Sequence, residues 1–446
     1  MEKLLFKNGW FCQIVNNKIV PFYGAVEVAY GKIVRFIKND ESLLVDLLNE
    51  RKFEIIDLNG KFVTTPFTNF HEHIYSKLAK GLKINSPLAN FDQILSDYWW
   101  LVDCALDEEM VKYSALLTGI DSIKNGIGTI FDHHSSPNFT KNSLNTIAEA
   151  LRNLNLKHVL CYEVTDRNGI AKSIESIDEN INFIQNQHNE FSKGLFGMHA
   201  SFTIDGKTLQ TISSKFKNLN TGVHIHICED KADRIESIKK YNKSPLERLL
   251  ENDLINDKSI LAHGVDLTIN ELEKIKKIGA SIALNPDSNL NNSVGLIDFK
   301  SILNQNLLLG SDGMHSNMLK SLKNVFLISR YQGLNFGESF ELITKIFNNQ
   351  LLFLDKFFPS NSKLQLNDSA DLVVWDYTPP TIVTEENVWG HIIYGLTEST
   401  ATDFISSGKF ILKEKKLKIM DENKVLNEAK EQGAKLYSKI ASLGGK

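Results

Sequence analysis

Apolar residues along most of the chain form short strand-like runs that alternate with longer segments of helical periodicity. Eight such runs occur, at 62–70, 127–132, 157–164, 195–202, 222–228, 259–263, 280–285 and 306–311. The segments between them place apolar residues at the three- and four-residue spacing of amphipathic helices. Strands that alternate with helices pair in parallel, and eight such units predict an α/β fold of the (β/α)₈ TIM-barrel type.

The two ends of the chain have a different pattern. Residues 1–62 resemble short strands joined by turns, and residues 361–446 repeat this pattern before a final amphipathic helix over 422–443. Turn-forming Asn and Gly residues between β-rich runs favour a small antiparallel sheet at each end. The barrel is therefore assigned to residues 63–360. Its stretch 74–110 is too long for a simple loop, and we expect it to cover the barrel mouth.

Composition excludes several classes of function. Hydrophobic residues are 42% and charged residues 23% of the 446 positions, values typical of a globular protein with a sizeable core. A formal net charge of −4 gives no basic field for nucleic acid. Without a stretch of ~20 apolar residues or a signal-peptide pattern, we expect a cytoplasmic protein. Its four cysteines lack a CxxC pair, so we expect reduced thiols rather than disulfides or a cysteine zinc site.

Histidines and aspartates gather at the carboxyl ends of the predicted strands. In a barrel of this type, that is the face where active sites are assembled. A single buried histidine is usually a hydrogen-bonded core residue, but so many polar groups at one rim would cost free energy without a function. The set predicts a metal site, and its members are His71, His73, Asp132, His133, His134, His199, His224, His226, His263 and Asp312.

The residue types also indicate which metal and which chemistry the site would use. Imidazoles with one carboxylate suit zinc, and iron(II) is an alternative. Three histidines and an aspartate leave room for a water, whose pKa a divalent metal lowers toward ~7, so hydroxide becomes available at neutral pH. Glu229 follows His226 by three residues and could shuttle the proton in a hydrolysis. It could equally be an acidic residue in the first turn of a helix, and the sequence leaves both interpretations open.

Five motifs, in this order, resemble the amidohydrolase superfamily. They are HEH at 71–73, HIHICE at 224–229, LAHGVDL at 261–267, NPDSNLNNSVG at 285–295 and LGSDGMHS at 309–316. The chain is most similar to the chlorohydrolase and aminohydrolase branch, which includes deaminases of guanine, cytosine, adenosine-type nucleosides and triazines. GTIFDHHSSP, GMHASFTI and HIHICED further resemble the SsnA-type aminohydrolases. The resemblance covers nearly the whole chain and implies that both terminal segments build one composite β-sandwich domain.

The resemblance implies a metal site with four protein ligands. His71, His73 and His226 would bind one divalent ion, and Asp312 would bind or approach it. Binuclear members of the superfamily commonly bridge two metals with a carboxylated lysine in the fourth strand. Here that strand reads LFGMHASF, without lysine, so the resemblance implies a single ion, Zn²⁺ or Fe²⁺.

Further roles follow from the same resemblance. Asp312 would accept a proton from water, Glu229 would be the proton shuttle, and His263 would orient the hydroxide or polarise the attacked carbon. His199 matches a position that contacts substrate in similar enzymes. His224 faces the same way as His226 but one pleat deeper, so we expect a packing or supporting role.

Three features near the rim are less specific. His133 and His134 could reach a substrate, but adjacent side chains diverge in an extended backbone, so only one is expected to do so. The segment 285–295 is rich in turn residues, and we expect a turn-rich loop rather than direct substrate contact. Glu72, between the first two histidines, should point outward from the barrel and away from the metal.

The function that best fits these features is hydrolytic deamination of an amino-substituted heterocycle through a metal-activated water. Hydrolysis of another bond, such as an amide or a carbon–halogen bond, is an alternative because fold and metal do not distinguish leaving groups. A barrel that only binds or assembles is a further alternative, although such a protein would be expected to lose ligands. We expect a small-molecule substrate, and a homodimer is a possible assembly because it is common among similar proteins.

Overall fold

The computed structural model of the chain describes residues 3–38, 53–83, 86–186, 189–359 and 361–443. Within these residues the strands are β1 (Lys3–Val15), β2 (Lys18–Ala29), β3 (Lys32–Lys38), β4 (Phe53–Asp57), β5 (Phe62–Thr64), β6 (Phe67–Glu72), β7 (Ile127–His134), β8 (Lys157–Tyr162), β9 (Ser192–Gly194), β10 (Phe196–Ala200), β11 (Val223–Ile227), β12 (Ile260–His263), β13 (Ser281–Leu284), β14 (Asn306–Leu309), β15 (Leu372–Trp375), β16 (Ala401–Ser406), β17 (Lys409–Lys413) and β18 (Lys416–Leu417).

The α-helices within the same residues are Phe91–Ile94, Trp100–Ala105, Glu108–Lys124, Ser143–Asn153, Ile170–Asn186, Gly206–Phe216, Lys231–Tyr241, Pro245–Glu251, Ile269–Ile278, Pro286–Asn291, Phe299–Ile302, Met318–Tyr331, Phe336–Asp355, Val388–Tyr394 and Glu422–Leu443. Short 3₁₀ turns cover Ile74–Ala79, Ser201–Thr203 and Leu396–Glu398, and a π-type turn covers Leu95–Trp99. In the described part of the chain, no helix combines the length and the apolar character needed to cross a membrane.

Parallel pairing dominates the middle of the chain. One parallel sheet has the order β6-β7-β8-β9, and a second has the order β10-β11-β12-β13-β14. Each of the eight apolar runs read from the sequence overlaps one of these strands. Helices lie between most consecutive strands, so the predicted parallel α/β architecture is confirmed.

Two isolated parallel bridges connect the two sheets. Val164 pairs with Met198 at one seam, and Glu72 pairs with Asp312 at the other. At the second seam the carbonyl oxygen of His71 accepts a hydrogen bond of 2.9 Å from the backbone N–H of Asp312. The carboxyl ends of β6 and β14 therefore lie side by side, which brings the first His-x-His pair against Asp312.

Strands from both ends of the chain form one nine-stranded sheet. Its order is β18-β17-β16-β15-β5-β1-β2-β3, and β4 pairs with β1. Most pairs are antiparallel, as predicted, but β4 and β5 lie parallel to β1. The indole N–H of Trp375 donates to the hydroxyl of Thr64 at 2.9 Å, so the C-terminal strands are tied to the start of the parallel unit. The domain limits at 62 and 360 stay a prediction, and residue 360 lies outside the described residues.

The described residues of the segment 74–110 form part of the cavity wall at the site end of the parallel strands. Phe91, Trp99 and Trp100 line the cavity described below, and the expectation that the segment covers a barrel mouth stays a prediction. The predicted C-terminal helix Glu422–Leu443 packs against the segment. The hydroxyl of Tyr437 on that helix donates to the carbonyl oxygen of Lys80 at 2.6 Å. The last helix therefore braces this part of the cavity wall.

Candidate active site

The carboxyl ends of the parallel strands surround a cavity whose empty volume, including the space open to solvent, is about 760 Å³. Aromatic side chains form one part of its wall: Tyr75, Phe91, Trp99, Trp100 and Phe202. Polar side chains form another part: His73, Glu163, Arg167, His199, His226, Glu229 and Asp312.

Hydrogen bonds to backbone carbonyls fix the tautomers of two of the predicted ligands. Nδ1 of His73 lies 2.7 Å from the carbonyl oxygen of His133, and Nδ1 of His226 lies 2.9 Å from that of His199. A carbonyl oxygen only accepts, so each Nδ1 carries a hydrogen, and each Nε2 presents a lone pair when its ring is neutral, as it is in a metal ligand. The two Nε2 atoms are 3.1 Å apart, and that of His73 is 3.0 Å from Oδ1 of Asp312. Three acceptors therefore converge on one point.

His71 adds a fourth acceptor position to this cluster. Its buried Nε2 has no hydrogen-bond partner among the described residues and lies 3.6 Å from Oδ1 of Asp312. His71, His73 and His226 offer ligand atoms that all lie within 4.8 Å of one another. Converging acceptors without a donor repel one another unless a cation lies between them, and imidazole with carboxylate is a donor set that binds zinc. The residues present therefore fit a divalent metal.

Protonation equilibria in the cluster agree with a cation site. Burial lowers the pKa of His71 and of His226 well below the usual value, so both rings are neutral, the form that binds metals. Burial opposes protonation of His73 as well, but the neighbouring Asp312 carboxylate raises the pKa of that imidazole to about 9. The cluster thus attracts positive charge.

Glu229 and His263 lie next to the acceptor cluster. Nε2 of His263 is 3.6 Å from Oε2 of Glu229 and 3.8 Å from Oδ2 of Asp312. Burial raises the pKa of Glu229 to about 6, against the opposing effect of His263. A carboxyl group with such a pKa can both accept and release a proton near neutral pH, as general acid–base catalysis requires.

The backbone is strained where these groups leave their strands. Cys228, His263 and Asp312 have φ angles of +48°, +74° and +54°, in the left-handed region that non-glycine residues rarely adopt. Such strain persists only where the surrounding structure holds it, and it is concentrated at functional sites. At Cys228 the restraint is visible, because its backbone N–H donates to Oδ2 of Asp233 at 2.7 Å. The turn at Cys228 directs Glu229 into the cavity.

Comparison with known proteins decides the family. A profile described as the amidohydrolase family matches residues 62–410. The chain belongs to the amidohydrolase family. The resemblance read from the five motifs is thereby confirmed, and so is the prediction that the protein is an enzyme of this type.

Similar amidohydrolases match almost the whole chain. The 5'-deoxyadenosine deaminase of Methanobrevibacter smithii is 26% identical over 412 residues, which cover 88% of this chain and 91% of that protein. The 5-methylthioadenosine/S-adenosylhomocysteine deaminase of Thermococcus sibiricus is 27% identical over 409 residues, which cover 86% and 92%. The structure of an adenosine deaminase from Xanthomonas campestris with bound zinc has a TM-score of 0.80 at 20% identity and covers 98% of both chains. The last likeness shows that the two proteins share their fold.

The amidohydrolase structure does not place His133 or His134 on the cavity wall. Nε2 of His133 lies 3.0 Å from the carbonyl oxygen of Met198, and Nε2 of His134 lies 2.8 Å from Oγ of Ser136. Both rings are fully buried. The expectation that one of them contacts the substrate therefore finds no support in this geometry. His199, in contrast, does line the cavity.

The expectation of a turn-rich loop over 285–295 is wrong. A helix, Pro286–Asn291, begins there with proline at its first position, where the missing N–H costs nothing. Oδ1 of Asn289 lies 2.8 Å from Nδ1 of His263, and Asn292 lines the cavity. The segment therefore helps to build the site. Pro286, two residues after the end of β13, is the sequence signal that predicts this helix.

Glu72 and His224 lie where the sequence placed them. Glu72 is buried and accepts hydrogen bonds of 2.7 Å from Asn69 and from Ser316 rather than facing the histidine cluster. Nε2 of His224 lies 2.8 Å from Nδ1 of His71, which is the supporting contact expected of it.

Sequence reasoning missed three charged residues on the cavity wall, Glu163, Arg167 and Asp233. Glu163 follows β8 directly, so its position at a strand end was a usable signal. Arg167 lies in the following loop and donates to Oε1 of Glu163 at 2.9 Å and also to Asp103. Loop residues carry no periodicity, so nothing in the sequence alone pointed to Arg167.

Proposed function

We propose that this amidohydrolase is a hydrolytic deaminase that removes the amino group from the adenine ring of an adenosine-type nucleoside. The observation that carries the proposal is the convergence of His71, His73, His226 and Asp312 on one point, with Glu229 and His263 beside it. The names of the two relatives, deaminases of adenosine derivatives, support the substrate class.

The metal ligands in this proposal are His71, His73, His226 and Asp312. A divalent ion held by these residues would lower the pKa of water to ~7 and would so supply hydroxide at neutral pH. Zinc is the proposed ion, because the residues are imidazoles with one carboxylate and the similar Xanthomonas enzyme carries zinc. A single ion is proposed, since β10 contributes no lysine.

Glu229 and His263 move and hold protons in the proposed reaction. Water oxygen adds to the ring carbon that bears the amino group, and Glu229 takes one proton of the water and passes it to the adjacent ring nitrogen. Glu229 then takes the remaining proton of the added hydroxyl and delivers it to the amino group. Collapse of the adduct breaks the carbon–nitrogen bond, ammonia leaves, and the oxygen stays on the ring carbon as a carbonyl. Nδ1 of His263 is fixed on Asn289, so its Nε2 faces the same point as Glu229 and Asp312 and holds the attacking oxygen in place.

The aromatic part of the wall suits a flat heterocycle. Tyr75, Trp99 and Trp100 line the cavity beside the histidine cluster. Aromatic side chains contribute large apolar area and stack on planar rings. The segment 74–110 would thus hold the base against the polar rim and exclude water.

We further infer that the two parallel sheets close into one eight-stranded barrel beside the β domain. The bridges Val164–Met198 and Glu72–Asp312 join the sheets at both seams. β9 and β10 are separated by Leu195 alone and would together count as the fourth strand.

Ammonia release from a substrate panel tests the proposed function. Zinc-loaded protein is assayed with adenosine, 5'-deoxyadenosine, 5-methylthioadenosine, S-adenosylhomocysteine, guanine, cytosine, aminotriazines and chlorotriazines. We expect ammonia from at least one adenosine derivative. The variant Glu229→Gln should lose this activity, whereas Glu236→Gln, on the helix that follows, should keep it. Absence of ammonia from every compound would overturn the proposal, and chloride release from chlorotriazines would favour the carbon–halogen alternative instead.

A further inference from the structure

Glu163, His199 and Trp100 form a polar patch on the cavity wall that the proposed reaction does not use. Glu163 lies within 4.8 Å of His199 and of His226 when their ligand atoms are compared. The His199 and Trp100 rings are 6.4 Å apart between centroids. Glu163 and His199 are buried, with 2% and 6% of their surfaces exposed. A ligand in the cavity therefore meets these groups without intervening solvent.

Two of the three groups are hydrogen-bond acceptors. The hydroxyl of Thr203 donates to the carbonyl of Ala200 at 3.0 Å, so Nδ1 of His199, 2.9 Å from that hydroxyl oxygen, must carry a hydrogen. With that hydrogen on Nδ1, Nε2 of the neutral His199 ring is an acceptor. The Arg167 guanidinium donates to Oε1 of Glu163 at 2.9 Å, and a carboxylate paired with an arginine is a hydrogen-bond acceptor.

The third group is a donor. The buried indole Nε1 of Trp100 has no hydrogen-bond partner among the described residues. The Arg167 guanidinium lies 5.0 Å from the centre of the Trp100 ring and also binds Glu163, so it holds donor and acceptor in one arrangement. A patch with two acceptors and a donor matches a ligand group that both donates and accepts.

We propose that Glu163, His199 and Trp100 bind the vicinal hydroxyls of the ribose in the substrate. This proposal rests on the proposed function, because it names the part of a nucleoside that this wall recognises. Apart from the amino group that leaves, the adenine ring of a nucleoside offers only acceptor nitrogens, which a carboxylate and a neutral imidazole acceptor repel. Sugar hydroxyls donate to both acceptors and accept from the indole N–H. A carboxylate can take both hydroxyls of a diol at once.

Arg167 gives the experiment a matched control. Its guanidinium binds Glu163 on the cavity wall and Asp103, which is not on that wall. Glu163→Gln and Asp103→Asn each remove one negative charge from the same arginine. In Glu163→Gln the amide oxygen keeps the Arg167 bond, so the amide NH₂ is presented in place of an acceptor. Of the two variants, only Glu163→Gln changes a side chain that would contact the sugar.

The first measurement compares adenosine with 2',3'-dideoxyadenosine as substrates of the wild-type protein. A hydrogen bond to a charged group is worth enough to change a rate or binding constant roughly tenfold to a hundredfold. We expect kcat/KM for adenosine to exceed that for the dideoxy compound by at least this factor. In Glu163→Gln, kcat/KM should fall for adenosine and stay unchanged for the dideoxy compound, so the preference for adenosine is lost. Asp103→Asn should keep that preference. Equal kcat/KM values for both compounds in the wild type would overturn the proposal.

A binding measurement keeps this proposal separate from the proposed function. Calorimetry with inosine and 2',3'-dideoxyinosine needs no turnover and is performed on the same three proteins. Inosine should bind the wild type and Asp103→Asn at least tenfold more tightly than its dideoxy analogue, and Glu163→Gln should bind both alike. If ammonia release fails but this difference appears, only the reaction is wrong. If both nucleosides bind the wild type equally, or neither binds, the ribose site is wrong.

Discussion

Nδ1 of His71 lies 2.8 Å from Nε2 of His224, and both imidazoles are fully buried. The contact joins a proposed metal ligand on β6 to a residue on β11 that does not reach the metal cluster. A partner on the far nitrogen of a ligating histidine fixes its ring orientation and its tautomer, and loss of such a partner typically costs tenfold to a hundredfold in metal affinity.

We therefore expect His224→Phe to weaken zinc binding by roughly tenfold to a hundredfold, because the ring shape is kept but the hydrogen bond is lost. Competition with a fluorescent chelator measures the affinity. His158→Phe is the control, since His158 is equally buried but bonds to Ser192 and to the Leu156 carbonyl. That variant should lower thermal stability and leave zinc affinity unchanged. Equal zinc affinity in His224→Phe and the wild type would show that the hydrogen bond between His71 and His224 does not contribute to zinc binding.

Gly310 lies so close to His71 that no side chain fits between them. A Cβ at residue 310 would lie 2.7 Å from Cβ of His71 and 2.4 Å from Oδ1 of Asn285. Gly310→Ala should therefore displace His71, lower the zinc content and reduce kcat by at least tenfold. In Gly390→Ala the new methyl group would meet no atom within 4 Å, so this variant should keep the wild-type zinc content. Full zinc content in Gly310→Ala would mean that β6 can move away from the new methyl group without displacing His71 from the metal.

The pH dependence of the reaction should report Glu229. Burial raises its pKa to about 6, and the base form is needed to take a proton from water. Hence kcat/KM should rise with pH along an acidic limb whose midpoint is no higher than about 6, because a bound cation favours the ionised carboxylate.

A second buried carboxyl group, that of Asp233, tests whether the acidic limb of the kcat/KM profile belongs to Glu229. Burial raises the pKa of Asp233 to about 7, and its Oδ2 accepts from the N–H of Cys228, on the same cavity wall as Glu229. Asp233→Asn should keep the acidic limb where it is, although activity falls if the Cys228 turn relaxes. Disappearance of the limb in Asp233→Asn would assign the titration to Asp233 and contradict the role given to Glu229.

The sequence was sufficient for the features that repeat or cluster. Apolar runs alternating with helical segments predicted the parallel strands, because burial imposes that period on the chain. His71, His73, His226 and Asp312 became candidates because polar groups at strand ends stand out against apolar runs, and the resemblance to amidohydrolases added the role proposed for Glu229. Both signals are local patterns, so they can be recognised in one sequence without an alignment.

Other parts of the site depend on contacts that no local pattern records. His133 lies at the carboxyl end of β7, as His73 lies directly after β6, yet it donates to backbone carbonyls behind the cavity. Asn289 becomes part of the site only because a helix brings it beside His263. Arg167 is held at the cavity wall by its hydrogen bond to Asp103, which lies 64 positions away in the sequence. Such pairings are set by tertiary packing, so the sequence could not supply them.

Elemental analysis combined with ammonia release tests the central claim most directly. Wild-type protein and the double variant His71→Ala/His73→Ala are expressed with zinc and iron, and metal per chain and activity on adenosine derivatives are measured in the same samples. The account predicts about one equivalent of divalent metal in the wild type, none in the variant, and activity that disappears with chelation and returns with zinc. A variant that keeps the ion, or metal-free protein that still releases ammonia, would contradict it.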